Sequence, residues 1–231
     1  MDAYIGTSGF SYPAWRGSFY PEKLPEPKML GFYAQKLRTV EINNSFYRMP
    51  NPELFTRWAG ETPPEFRFAV KSPRRITHMN KLANSTEELA RLAAGVEALG
   101  DKLGPILFQL PPFMKKDVLR LDEFLASLPK PLRAAMEFRH ESWFADDVYG
   151  CLRARGAALC IAESEDLATP PVATADWGYV RLRRQDYDQP ALATWAERVR
   201  AQTWSEAYVF FKHEDEGKGP ALAATFDGLL R

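Results

Sequence analysis

Short apolar runs alternate along this chain with stretches of helical period, and most of the runs close on a polar or charged side chain. They are YIGTSG from Tyr4, TVEIN from Thr39, RFAVKS from Arg67, PILFQL from Pro105, RAAMEF from Arg133, AALCIA from Ala157, YVRLR from Tyr179 and AYVFFK from Ala207. Their β-branched and aromatic content predicts eight strands, spaced at roughly the 30 residues that a strand, crossover helix and parallel strand need. Eight such units predict a closed (β/α)8 TIM barrel, one α/β domain over residues 1–231, with its chemistry at the C-terminal ends of the strands. Those ends carry Glu41, Lys71, Gln109, Glu137, Arg181 and Lys212.

Between the runs, Met29, Leu30, Phe32, Tyr33 and Leu37 recur at helical spacing and predict a helix over 28–37. Further helices are expected over 52–58, from Ser85 or Thr86 to the stop at Gly100, and over 117–128, 146–156, 191–201 and 220–230. The segment 163–175 contains Pro170 and Pro171 and has little helical period. Residues 10–27 form a proline-rich, aromatic first loop, far longer than an ordinary βα connection, which is expected to cover something.

Side chains of equal parity share a strand face, which groups the polar residues. Glu41 and Asn43 oppose Ile42; Lys71 opposes Val70; Glu137 and Arg139 oppose Met136 and Phe138; Arg181 and Arg183 oppose Val180 and Leu182. The outward face of a barrel strand lies under helices and must be apolar, so the polar parity is assigned to the interior or the upper mouth. Gathered there, Lys71, Arg139, Arg181, Arg183 and Lys212 outnumber Glu41 and Glu137, which favours an anionic ligand such as a phosphate or carboxylate. The same charges also fit layered ion pairs, Glu41 with Lys71 or Glu137 with Arg181, that only close the core.

Length and composition narrow the field. With 231 residues, 45% of them hydrophobic, the chain supports one core, and its 30 basic residues balance 30 acidic ones. That balance argues against a surface built to coat nucleic acid. The chain enters its first strand at once, with no leader pattern and no run of about 18 apolar residues, so the expected location is cytoplasmic, without a membrane partner. Cys151 and Cys160 have no metal-ligand spacing and are expected to be free thiols. No cofactor is expected. A divalent metal is disfavoured because only three histidines are present. Oligomeric state leaves no signature.

GTSGFSYPAWRGSFYP from Gly6, EINNSFYRMP from Glu41, FRFAVKSPRRITH from Phe66, GPILFQLPPF from Gly104 and EFRHESW from Glu137 together resemble the YecE-like family, domain of unknown function 72. The resemblance spans nearly the whole chain and implies the barrel fold, but no reaction, substrate or cofactor. Two departures stand out. Arg183 and Arg184 occupy the place of a usual histidine and glycine, and Lys212 and His213 that of asparagines after a phenylalanine. If those positions meet ligand, the site is more cationic than in better-matched relatives.

The first functional expectation is an enzyme that uses Glu137, with His140 or Glu41, for acid/base chemistry of isomerase, hydrolase or lyase type on a small anionic, sugar-like or phosphorylated metabolite. Glu137 serves only if burial and neighbours move its pKa toward neutrality; His140 equally suits a helix cap. Asn43, Lys71, His78, Gln109, Arg139, Arg181, Arg183 and Lys212 are the expected ligand contacts, with Trp15, Tyr47 and Trp143 as aromatic walls beside Tyr12, Phe46 and Trp177. Lys71 reads as an electrostatic clamp or, in a desolvated site, a Schiff-base amine. Gly217, Lys218 and Gly219 form a phosphate cradle or a plain flexible loop. A non-catalytic anion-binding protein is the alternative, and a metal-dependent phosphodiesterase or nuclease a third.

Overall fold

Eight parallel strands pair in sequence order and the last closes on the first: β1 Asp2–Ser8, β2 Thr39–Ile42, β3 Arg67–Lys71, β4 Leu103–Gln109, β5 Ala134–Glu137, β6 Ala158–Glu163, β7 Trp177–Leu182 and β8 Glu206–Phe211. This computed structural model describes residues 1–49, 51–165 and 167–231. Pro50, which ends the EINNSFYRMP motif, and Asp166, inside the segment 163–175, lie outside the described residues. Closure satisfies every strand edge, so the barrel leaves none exposed for pairing with another chain.

Seven α-helices surround the strands among the described residues: α1 Met29–Ala34, α2 Pro52–Gly60, α3 Thr86–Val96, α4 Val118–Ala126, α5 Asp146–Ala154, α6 Gln189–Arg200 and α7 Lys218–Leu230. Their starts follow from local chemistry. Asn51, Asp117 and Asp188 each accept a backbone N–H of the first turn through the side chain, and Pro52 and Pro190 sit where a helix needs no donor. The weak segment 163–175 forms no α-helix among its described residues. Thr174 works there instead: its hydroxyl donates to the Ala157 carbonyl and accepts the Leu159 N–H, at 2.8 and 2.7 Å.

Strand parity partitions the core as the sequence predicts. Val40, Phe68, Val70, Phe108, Met136, Ile161, Val180 and Val209 join the apolar layer under the helices. Tyr4, Ala69, Leu107, Ala135, Cys160, Ala162, Tyr179, Tyr208 and Phe210 fill the interior. Small residues on β3, β5 and β6 leave room for large ones on β7 and β8, so Arg181 fits beside its register partner Ala162. The lower end is plugged by Tyr4 stacked on Tyr208 at 4.8 Å, with the Arg133 guanidinium over Trp177 at 4.4 Å. Trp177 begins β7 and therefore belongs to this lower plug, which corrects its expected place at the upper mouth. Parity fixes the face a residue takes, whereas its height depends on where the strand starts.

The first loop packs on itself. Trp15 and Tyr20 are buried in it, and the Trp15 indole donates to the Glu214 carbonyl at 2.9 Å, tying the loop to the segment before α7. That segment is closed as well. Gly217 has φ of 76°, and a Cβ there would lie 2.5 Å from the Ser18 hydroxyl; one on Gly219 would lie 2.6 Å from the His213 carbonyl. These glycines therefore serve close packing. Lys218 is turned aside to the Gln185 carbonyl at 2.7 Å and to Asp186 at 3.0 Å.

Candidate functional site

At the upper end of the barrel, Arg181 on β7 spans the interior. One terminal nitrogen donates to Glu41 Oε1 on β2 at 2.7 Å and the other to Glu137 Oε2 on β5 at 2.6 Å. All three side chains are buried, Arg181 at 2% exposure and both glutamates at 0%. Glu41 is saturated: Oε1 also accepts from Ser8 at 2.7 Å and from Asn43 at 3.0 Å, and Oε2 accepts the Tyr179 hydroxyl at 2.7 Å. Glu137 Oε1 contacts the Arg139 guanidinium and lies 3.9 Å from Arg183.

This network shifts the pKa values of its members. Burial by itself would raise both glutamate pKa values, but the Arg181 charge, with Arg139 beside Glu137 and the Tyr179 and Ser8 hydroxyls on Glu41, holds both below the usual carboxylate range. Arg181, although desolvated, is held more firmly protonated by the two carboxylates. The shift of Glu137 runs away from the neutrality that a general base needs. That of Glu41 runs the same way. Both carboxylates accept hydrogen bonds from Arg181.

Above the network opens a cavity of about 420 Å³ lined by Tyr12, Asn43, Phe46, Tyr47, Lys71, His78, Gln109, Arg181, Arg183, Lys212 and Glu214. Eight of the expected site residues meet here: Asn43, Tyr47, Lys71, His78, Gln109, Arg181, Arg183 and Lys212. Lys71 donates to Gln109 Oε1 at 2.8 Å and its ammonium lies 4.4 Å from the centre of the Phe46 ring. Burial, followed by repulsion from Arg181, brings the Lys71 pKa down to about 8. His78 stands edge-on to the same Phe46 ring at 4.9 Å, with Nδ1 2.8 Å from the Thr77 hydroxyl. Its pKa is lowered by burial and then by the Lys71 and Arg74 charges, so the ring is neutral near pH 7.

One expected catalytic residue and two expected contacts lie elsewhere. His140 caps the 3-10 turn Glu141–Trp143, where its Nδ1 accepts the Ser142 N–H at 3.1 Å. Trp143 is buried, stacks on Phe138 at 4.5 Å and donates to the Met114 carbonyl at 2.7 Å. Trp15 belongs to the interior of the first loop. None of the three lines the cavity. Arg139 sits beneath it, paired to Glu137.

Conversely, sequence reading missed Ser8 and Tyr179 as holders of Glu41, and Glu214 as the one carboxylate on the cavity wall among the described residues. Applying the parity rule to hydroxyls would have found Tyr179, which shares a face with Arg181. Glu214 lies in a loop and carries no such signal.

A second cavity of about 490 Å³ adjoins the first at Tyr12 and Asn43 and runs between the first loop and α2, over Phe10, Leu30, Leu54 and Trp58. It lies beside the barrel, and of the expected site residues only Asn43 reaches it. We therefore place the candidate site in the central cavity. Among the described residues, no group of three or more His, Cys, Asp or Glu side chains is arranged to hold a metal ion, and no helix is long and apolar enough to cross a membrane.

The two departures in sequence touch each other. Arg183 and Lys212 line the cavity, while His213, buried behind them, has Nε2 2.6 Å from the Arg184 carbonyl. The extra cations thus lie on adjacent strand ends, held by a shared contact.

The family model described as "Protein of unknown function DUF72" matches residues 4–231. UPF0759 protein YecE of Escherichia coli (strain K12) is 31% identical over 143 residues, covering 62% of this chain and 50% of that protein. UPF0759 protein YunF of Bacillus subtilis (strain 168) is 29% identical over 154 residues, covering 63% of this chain and 54% of that protein. The chain thus spans about half the length of these curated relatives. The crystal structure of a DUF72 family protein from Thermotoga maritima MSB8 superposes with a TM-score of 0.89 at 29% identity, covering 100% of this chain and 99% of that one.

Proposed function

Because the chain belongs to the DUF72 family, whose description assigns no reaction, we propose from the site itself that it is an enzyme acting by proton transfer on a small anionic, sugar-like or phosphorylated metabolite bound in the central cavity. One observation carries the reading. Five basic groups, Lys71, Arg139, Arg181, Arg183 and Lys212, gather against three acidic ones, Glu41, Glu137 and Glu214, in a chain whose formal net charge is zero. The buried Nε groups of Arg181 and Arg183 have no partner among the described residues, which supports an acceptor-rich ligand.

In this reading Arg183 and Lys212 hold the anion, and Arg181, fixed from below, supplies directed N–H groups. Lys71 and His78 replace Glu137, His140 and Glu41 as proton carriers, because they line the cavity and those three do not. Asn43 and Tyr47 suit hydroxyl and ring contacts. The reaction is of isomerase, hydrolase or lyase type.

The buried, hydrogen-bonded Glu41–Arg181–Glu137 network also favours a second reading, a receptor that binds the same anions without turnover. Calorimetry and turnover assays with a panel of sugar phosphates and hydroxy acids separate the two. Binding that disappears in Arg183→Ala, with conversion lost in Lys71→Met, supports the enzyme. Binding without conversion supports the receptor. If no anion of the panel binds at millimolar concentration, both readings fail.

A further inference from the structure

Lys71 and Lys212 both line the cavity with no carboxylate partner among the described residues, and of the two Lys71 is the one whose ammonium is held by an amide oxygen and an aromatic face. The nearby acids are engaged elsewhere: Glu41 and Glu137 by Arg181, and Glu137 by Arg139 as well. What Lys71 has instead is the Gln109 carbonyl oxygen at 2.8 Å, a Phe46 ring face at 4.4 Å, and the cations Arg181 and Lys212 beside it. A carboxylate partner would hold the amine permanently protonated. An amide oxygen and an aromatic face do not, and neighbouring cations disfavour the charge.

We infer that Lys71 forms a protonated imine with a small carbonyl compound whose carboxylate or phosphate is held by Arg183 and Lys212. The inference rests on the anion-site reading above and adds to it a covalent step and a substrate class, the anionic aldehydes and ketones.

The partners of Lys71 suit both ends of this step. Gln109 Oε1 accepts an N–H from the ammonium and equally from the iminium, and the Phe46 face attracts either cation. Neither contact has to break when the new bond forms. His78, edge-on to the same Phe46 ring and on the same cavity wall as Lys71, is the titratable group beside it that can move the protons.

The step balances without any further reagent. The Lys71 ammonium gives one proton to His78, and the freed nitrogen lone pair attacks the carbonyl carbon. A C–N bond forms, and the π pair moves to oxygen, which is protonated as nitrogen loses its second hydrogen. In the resulting carbinolamine the C–O bond breaks; the hydroxyl leaves as water with the proton returned by His78. The sum is one ammonium and one carbonyl giving one iminium and one water, with charge conserved and nothing oxidised. The iminium then withdraws electrons from the adjacent carbon, which makes proton removal or carbon–carbon cleavage there easier.

The test is trapping by sodium cyanoborohydride at pH 7.5 with pyruvate and dihydroxyacetone phosphate, and with neutral dihydroxyacetone as control. Peptide mass mapping then locates the adduct. The expected result is one adduct per chain, on Lys71, formed at least about 10-fold faster from an anionic carbonyl than from the neutral one, as a modest loss of anchoring by one or two charge-assisted hydrogen bonds implies. Lys71→Arg, which keeps the positive charge, should abolish it. Arg183→Ala should remove the preference for the anionic compounds while leaving slow labelling by dihydroxyacetone.

Lactate and glycerol 3-phosphate, which lack the carbonyl, are run in parallel by thermal shift. If they bind but neither carbonyl compound gives a Lys71 adduct, the imine is overturned and the anion site stands. If none of these anions binds and no Lys71 adduct forms, both fall. Adducts spread over the exposed lysines at the Lys71 rate also overturn the imine.

Discussion

Arg181 donates to Glu137 Oε2 at 2.6 Å between two side chains that are almost wholly shielded from water, at 2% and 0% exposure. With its other nitrogen on Glu41, one guanidinium on β7 joins β2 and β5 across the barrel. Such an ion set is costly to desolvate and costly to break, so its members are interdependent.

Arg181→Met should therefore leave two buried carboxylates without their main partner and destabilise the protein by about 3 to 5 kcal/mol. Combining it with Glu41→Gln and Glu137→Gln should recover part of that loss, because the stranded charges go with it. Denaturant unfolding of the single and triple variants measures both. A single-variant loss below about 1 kcal/mol would contradict the network as drawn.

The pH dependence of stability has a fixed sign. Glu41 and Glu137 have folded-state pKa values below the ordinary 4.5, so the stability they contribute is fully present above about pH 4.5 and is lost as pH falls through their lower folded-state values. Melting temperature should be flat from pH 7 to 5 as far as these groups are concerned, and fall steeply below. Glu137→Gln should make the acid limb shallower, and an unchanged limb would show that this carboxylate is not ionised in the fold.

Lys71 should titrate near 8, against an ordinary lysine value of 10.5. Between those values the unfolded chain binds the extra proton, so stability should rise with pH across roughly pH 8 to 10.5. Lys71→Met should flatten that rise. Amine acylation followed by mass mapping checks the titration directly: Lys71 should reach half its limiting rate near pH 8, and a midpoint above 10 would refute a desolvated amine.

Trp143 and His140 should behave as structural residues. Trp143→Ala is expected to cost about 3 to 5 kcal/mol through the cavity it leaves. His140→Ala should cost about 1 kcal/mol through the lost cap. Neither should change ligand affinity per folded molecule by more than about twofold, since neither lines the cavity. A tenfold loss of affinity in His140→Ala at unchanged stability would return that histidine to the site.

Glycine contacts show how closely the first loop depends on local geometry. Gly9, at φ of 90°, lets the Tyr12 ring lie against the backbone, and Tyr12 in turn forms the wall shared by the two cavities. A Cβ at Gly9 would meet that ring, so the sequence GFSY specifies the wall as much as the turn.

The sequence by itself determined the barrel, the face of each strand and the convergence of Asn43, Lys71, Gln109, Arg181, Arg183 and Lys212, because strand parity and the apolar coat of the helices leave inward polar residues only one place to go. Tertiary structure alone decided depth and partnership. Glu41 and Glu137 share the parity of Lys71 and Gln109 yet lie beneath Arg181, since the small side chains of β3, β5 and β6 let that guanidinium reach across. Trp177 reads as an upper-mouth aromatic but starts its strand at the bottom, and His140 reads as a catalyst but caps a turn. Height along the barrel axis and the choice of hydrogen-bond partner depend on contacts between residues more than a hundred positions apart, as between Tyr179 and Glu41. No local pattern encodes such contacts, so which strand-end residues reach the cavity was settled only once the strands closed into a ring.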